Sequence, residues 1–309
     1  MPPSLRALCP VALLFAGCLT NSGGVPDTRP ELPDGGTPDA GTVPTGLVGP
    51  DGGTVERLWF ATTGDTRPGT CDATDQYPRE TVKRIAQSMK ALNVQFAVDL
   101  GDHMFVCNHS LPEAQQQMGF YMEAVGLGPS PFFMTMGNHE CGSGTCLPGS
   151  SDANFTAYME ALARPRPWYS FDVATEAGLA RFVSIADDAW GSEQAGWLEA
   201  TLADADAKAA RYTIIARHHP MSGSNTGNAQ IVATINRHKY SLILTAHAHT
   251  YAHSAEYGGR AVIVGLGGAP ASYAPGFATV LQQADGKLAF VLRDVNGNPM
   301  STPWSVAPQ

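Results

Sequence analysis

Residues 243–253 read ILTAHAHTYAH. The apolar run Leu242-Ile243-Leu244 has the character of a buried strand, and His247, His249 and His253 follow its end within seven positions. Imidazoles placed at the end of a core strand cost free energy unless something pairs with them. The same pattern recurs upstream: VERLWFATTGD (55–65), VQFAVDLGD (94–102), PFFMTMGNHE (131–140) and YTIIARHHP (212–220) are apolar runs that finish in Asp, Asn or His. TVKRIAQSMKAL (81–92), EAQQQMGFYMEAV (113–125) and SEQAGWLEATLADADAKAA (192–210) carry helical spacing between them. WYSFDV, ARFVSIADD and AVIVGLGGA read as further strands, and ATVLQQADGKLAFVLRD (278–294) as a closing hairpin. Strands alternating with helices predict an α/β domain over residues 55–309. Strands apolar on both faces predict covering layers on both sides.

The N-terminus has a different character. MPPSLRALCPVALLFAGC (1–18) combines one Arg, an apolar stretch and small residues before Cys18, the shape of a secretory signal. Its ending FAGC resembles a bacterial lipobox, which makes Cys18 a candidate for lipidation; the alternative is a plain signal peptide cut nearby. The apolar run is shorter than the roughly 20 residues that a membrane-spanning helix requires. Residues 19–54 are rich in Gly, Pro, Asp and Thr without apolar periodicity, which predicts a disordered tether. The chain is therefore expected to be exported, as a cell-envelope lipoprotein or a secreted protein, touching a membrane only through the lipid. Beyond Cys9 and Cys18 four cysteines remain, Cys71, Cys107, Cys141 and Cys146. An even number in an exported chain suggests disulfides, with Cys141–Cys146 closing a short loop and Cys71 left for Cys107. A metal site of four thiolates is the rival, and it lacks paired C-x-x-C knuckles.

The 309 residues carry a formal net charge of −9, with 43% hydrophobic composition. That suffices for a sizeable core and gives no general attraction to nucleic acid. Any anion must be attracted locally. All nine histidines lie between His103 and His253. Five strand ends supply Gly64-Asp65, Gly101-Asp102, Gly137-Asn138-His139-Glu140, His218-His219-Pro220 and His247-Ala248-His249. One Gly-Asp pair after a strand is usually a turn and an N-cap. Five such ends gathered at the rim of an α/β sheet point to chemistry. Carboxylate, amide and imidazole together are ligands for borderline divalent metals.

In that order, GDTRPG, GDHMF, GNHE, IARHHP and AHAH resemble the motifs of the calcineurin-like metallophosphoesterases, including the purple acid phosphatases, over about residues 57–268. The resemblance implies a four-layer α/β/β/α sandwich of two mixed β-sheets flanked by helices. It also implies two divalent metal ions, drawn from Mn, Zn, Fe, Co or Ni. Carried across, Asp65 and His249 hold the first, Asp102 bridges both, and Asn138, His218 and His247 hold the second. His139 stands beside the substrate and donates a proton or hydrogen bond. Two departures concern the first metal. Most members have Asp-x-His where this chain has Asp65-Thr66-Arg67, and the purple acid phosphatases place a tyrosine where it has Phe105. Water, bidentate Asp65 or His103 could replace the lost ligand, and Arg67 is a candidate for facing the substrate phosphate. His103 and His219 adjoin ligands and are candidates for supporting them. His253 could touch substrate or be structural, and His109 and His238 read as surface residues.

These residues imply metal-dependent hydrolysis of a small phosphoester. In such chemistry two ions about 3.5–4 Å apart clamp the phosphoryl group and lower the pKa of a bound water to about 7. The second reading is a chain that keeps the fold and binds a phosphate-containing ligand without turnover, motivated by the missing ligand. A serine hydrolase is excluded by the absence of a G-x-S-x-G elbow.

Overall fold

The structure, a computed structural model, describes residues 44–309. The signal segment, Cys18 and most of the expected tether lie outside the described residues. The expected tether 19–54 reaches into the folded body, however. Gly46–Gly49 (β1) and Gly52–Val55 (β2) form a hairpin whose second strand pairs in parallel with Tyr169–Thr175 (β6). Its Gly-rich sequence hides it from periodicity, because pairing here comes from backbone hydrogen bonds rather than an apolar face. Val48 and Val55 alone turn inward.

One sheet has eight strands. The hairpin leads through β6, Gly178–Ser184 (β7), Tyr212–Ala216 (β8) and Leu242–Thr245 (β9) to Ala261–Val264 (β11), with Tyr251–Ser254 (β10) at the far edge. The other sheet has six. Trp304–Val306 (β14), Leu288–Asp294 (β13) and Gly276–Gln282 (β12) run antiparallel onto Trp59–Thr63 (β3), which continues in parallel with Phe96–Asp99 (β4) and Phe132–Met134 (β5).

The two-residue alternation of strands decides how these sheets stack. In β3 Phe60 faces one core while Trp59 and Ala61 face another. In β8 Ile214 and Ile215 divide in the same way. Phe60, Phe96 and Phe133 of the six-stranded sheet meet Phe171 and Phe182 of the other. Phe133 stacks on Phe171 with centroids 3.7 Å apart, and Phe96 meets Phe182 edge-on at 5.2 Å. The outer face of the eight-stranded sheet is covered by Ser192–Ala207 (α4) and Asn228–Ile235 (α5) through Leu198, Leu202, Ile231 and Ile235. Arg79–Ala91 (α1) covers the outer face of the six-stranded sheet with Ile85 and Met89. Leu111–Val125 (α2) and Ala153–Leu162 (α3) add Met118, Tyr121, Phe155 and Tyr158 to the main core. The molecule is thus an α/β/β/α sandwich of two mixed sheets flanked by helices.

The helices over 81–92, 113–125 and 192–210 form within a few residues of their expected bounds. Helices α3 and α5 have no counterpart in the periodicity. One is ten residues long and the other eight, too short for a persuasive stripe. Asp152 caps α3 by accepting the Phe155 backbone N–H at 3.1 Å. Cys71 is joined to Cys107 and Cys141 to Cys146, so the four-thiolate site does not exist.

Candidate metal centre

The parallel strands β3, β4 and β5 of one sheet and β8 and β9 of the other all end at one rim. Asp65 follows β3, Asp102 follows β4, Asn138 follows β5, His218 follows β8, and His247 and His249 follow β9. These six side chains converge. One oxygen each of Asp65 and Asp102 and one nitrogen of His218 lie within 4.8 Å of one another. Asp102 Oδ1 is 3.3 Å from His218 Nε2. Asn138 Oδ1 is 3.1 Å from His218 Nε2 and 2.8 Å from His247 Nδ1. His249 Nε2 is 3.5 Å from Asp65 Oδ1.

The backbone makes this convergence possible at a cost. Asp65, Asp102, His247 and His249 all have positive φ, at 60°, 62°, 68° and 46°. Left-handed backbone is uncommon for residues with a Cβ and clusters at functional sites. Close approach demands glycine twice. A Cβ on Gly265 would collide with Asp65 Oδ2, and one on Gly137 with Asp102 Oδ1.

Around the ligand atoms lies a ring of buried polar groups. Leu100 carbonyl accepts from His218 Nδ1 at 2.8 Å, leaving Nε2 facing the centre. Pro270 carbonyl does the same for His249 Nδ1 at 2.8 Å. Glu140, fully buried, accepts backbone N–H groups from Gly137 at 2.6 Å, Asp102 at 2.9 Å and His103 at 2.7 Å. It thereby fastens the β4 loop to the β5 loop. His103 is buried between Asp99 and Glu140, its Nε2 2.8 Å from one carboxylate and its Nδ1 3.3 Å from the other. It is therefore not the replacement ligand considered above: each ring nitrogen faces a carboxylate, Asp99 or Glu140. Burial opposes its charge, yet the two carboxylates push its pKa up to about 10. His219 turns to Asp188, 2.9 Å from Nε2, and its ring packs 4.3 Å from that of His247. His253 stacks on Trp304 at 3.6 Å and donates to Gly259 carbonyl, a structural role on the edge strand. His238 is more than a surface residue, held by Asp206 at 2.8 Å and Glu199 at 3.2 Å, whereas His109 is exposed.

Electrostatics separates the two acids. Asp65 is fully buried and neither of its oxygens has a hydrogen-bond partner. Burial pushes its carboxyl up to about 8, with His218 acting in the opposite direction. Asp102 is equally buried, but His218, His139 and Arg67 overcome that burial and hold it well below the usual carboxylate range. Burial lowers His247 to about 4 and pulls His139 and His249 down as well.

Arg67 does not project freely toward a substrate. Its Nε is 3.3 Å from Asp102 Oδ2, its Nη2 3.1 Å from His249 Nε2, and its Nη1 donates to Pro68 carbonyl at 3.0 Å. The guanidinium carbon lies 4.4 Å from the centre of the Phe105 ring. His139 leans on the same ring, 4.2 Å between centroids, with its Nε2 3.7 Å from Asp102 Oδ2. Beside His139 opens a cavity of about 310 Å³ flanked by Phe105, Asn138, Gly142 and Asp188.

The donor set fits divalent cations: carboxylate, amide oxygen and imidazole, arranged around a buried carboxylate with no partner of its own. Sequence reasoning named all six converging residues. It gave no role to Asp99, Glu140 or Asp188. Their signal was only adjacency, Asp99 three residues before Asp102 and Glu140 two after Asn138.

Comparison with known proteins agrees with this geometry. The family model of the calcineurin-like phosphoesterases matches residues 58–251, and the chain belongs to that family. The family implies a dinuclear centre of divalent metals. No curated protein sequence matches the chain. Among solved structures, it is similar to a purple acid phosphatase from yellow lupin (Lupinus luteus) seeds. There the TM-score is 0.58 at 16% identity, over 81% of this chain and 54% of the lupin protein. It is also similar to a dimetal phosphatase from Danio rerio, with a TM-score of 0.55 at 13% identity, over 82% of this chain and 99% of the other. The chain thus spans about half the length of the lupin enzyme. At such identities the likeness concerns the fold.

Proposed function

We propose that this protein is a metal-dependent phosphoester hydrolase acting on small phosphomonoesters or diesters. The observation that carries it is the meeting of Asp65, Asp102, Asn138, His218, His247 and His249, delivered by five strands of two sheets into one centre. Divalent metal bound there supplies positive charge for the phosphoryl oxygens and lowers the pKa of a bound water toward about 7.

The chain's own residues do the rest. The floor of the site, Asp65, Asp102 and His218, is buried, and His247 stands at its mouth. Leu100 and Pro270 carbonyls fix the tautomers of His218 and His249 so that each offers Nε2. Asn138 and His139 line both the centre and the adjoining cavity, so a substrate with its phosphoryl group at the centre places its alcohol part against Phe105 and His139. Burial lowers the pKa of His139, and its imidazole stands where it can give the leaving oxygen a proton or a hydrogen bond. The protein is acidic overall, with net charge −9, and local cationic charge is what draws an anion in.

The decisive assay loads metal-free protein with Mn, Zn, Fe, Co or Ni and follows aryl phosphate mono- and diesters. Chelator-sensitive turnover with at least one metal is the expected result. Phosphate binding without turnover under every metal would leave the non-catalytic reading standing instead.

We extend the reading to an exported protein, anchored by lipid on Cys18 or secreted. The signal-like residues 1–18 support it, as do the two disulfides, which persist in oxidising compartments. Acyl labelling of Cys18, set against a Cys18→Ala variant, tests the anchored form.

A further inference from the structure

We propose that the Arg67 guanidinium takes the place of one of the two cations, so that the centre holds a single divalent ion on Asp102, Asn138, His218 and His247, faced by Asp65. This rests on the hydrolase reading above and changes the number of metals in it.

The two oxygens of Asp102 point to different partners. Oδ1 is 3.3 Å from His218 Nε2, on the side where Asn138 and His247 gather. Oδ2 is 3.3 Å from Arg67 Nε. This is the disposition of a carboxylate bridging two positive charges, one of which is already in the chain. The next atom an ion on the Arg67 side would need is His249 Nε2, and it lies 3.1 Å from Arg67 Nη2.

Nothing leaves that guanidinium free to swing aside. Its third nitrogen is bonded to Pro68 carbonyl, its face is stacked on Phe105, and Arg67 is only 9% exposed. An arginine cannot shed its proton under ordinary conditions, so the charge is permanent. A divalent ion in the same space would meet both its repulsion in a weakly screening interior and the loss of two ligand atoms.

Asp65 fits the single-ion arrangement. Its carboxylate is buried without a hydrogen-bond partner, and an oxygen lies within 4.8 Å of ligand atoms of Asp102 and His218. One ion among these groups partners it. Arg67, which stands where most members have His, and Phe105, which stands where the purple acid phosphatases have Tyr, are in contact with each other, so the two alternative ligand positions are filled by one stacked pair.

The test counts metal directly. Metal-free protein is reloaded with Mn(II), dialysed and analysed for manganese per chain, and its EPR spectrum is recorded. The wild type is expected to retain one Mn(II) with the six-line signal of an isolated ion. Arg67→His, which exchanges the guanidinium for a ligand, should retain two, with the spectrum of an exchange-coupled pair. His249→Ala should leave the count at one, whereas His247→Ala should weaken retention by about tenfold or more. Two coupled ions in the wild type would overturn the proposal while leaving the hydrolase reading intact. So would one ion in a folded Arg67→His, or loss of the ion in His249→Ala. Failure of the wild type to retain any of the metals above would overturn both.

Discussion

Glu140 shows how much of the centre is held by residues that touch neither metal nor substrate. Its carboxylate collects backbone N–H groups from Gly137, Asp102 and His103 and sits beside the His103 ring. Glu140→Gln keeps the shape but removes the charge and turns one acceptor into a donor facing N–H groups. Metal affinity should fall by about 10–100-fold, measured by isothermal titration with Mn(II) or Zn(II). His103 has a separate signature. Its folded pKa of about 10 lies above the ordinary value of 6.5. Its ion pairs therefore contribute stability in full below about pH 6.5 and lose it as pH rises toward 10. Urea melts across pH 6–10 should show the wild type weakening over that window, and His103→Gln weaker at neutral pH but with a flatter profile. At this scale the six side chains that converge were legible because each lies in an ordered motif. Asp99 and Glu140 were not, because a buried acid that serves neighbouring backbone has no pattern of its own. The partners of Arg67 were equally hidden, since they come from Asp102 and His249, 35 and 182 residues further along.

Elements succeed or fail in sequence according to how much of their stability comes from an apolar face. Helices α1, α2 and α4 are 13 to 16 residues long and were readable. Helix α5 contributes Ile231 and Ile235 to the outer core, and only the assembled sheet gives those two side chains something to cover. Ile231→Ala should cost about 2–5 kcal/mol in denaturant melts, while leaving metal retention unchanged, because α5 packs on the face of the sheet rather than at its rim. The β1–β2 hairpin escaped notice for a related reason: its glycines pair through the backbone alone. The Cys71–Cys107 link ties the loop after β3 to the loop after β4. A separation of 36 residues corresponds to roughly 3–4 kcal/mol of loop entropy. The Cys71→Ser, Cys107→Ser double variant should lose about that much in equilibrium unfolding.

For the whole molecule, the sandwich was foreseeable from strands apolar on both faces, and the stacking of Phe60, Phe96, Phe133, Phe171 and Phe182 between the sheets is the physical content of that pattern. Phe96→Ala should remove about 3–5 kcal/mol, seen as an earlier urea midpoint with the same metal count in the folded protein. Metal is part of this stability. An ion at 100 times its dissociation constant adds about 2.7 kcal/mol by mass action, so chelation should lower the melting temperature and re-addition restore it. The left-handed backbone at Asp65, Asp102, His247 and His249 decides where that loss appears. These four bends resemble a sprung latch that an ion keeps shut. Released from it, the rim loosens while the sheets stay whole, so a protease given the chelated protein should nick the loops around 102–109 and 246–250 and spare the strands that flank them.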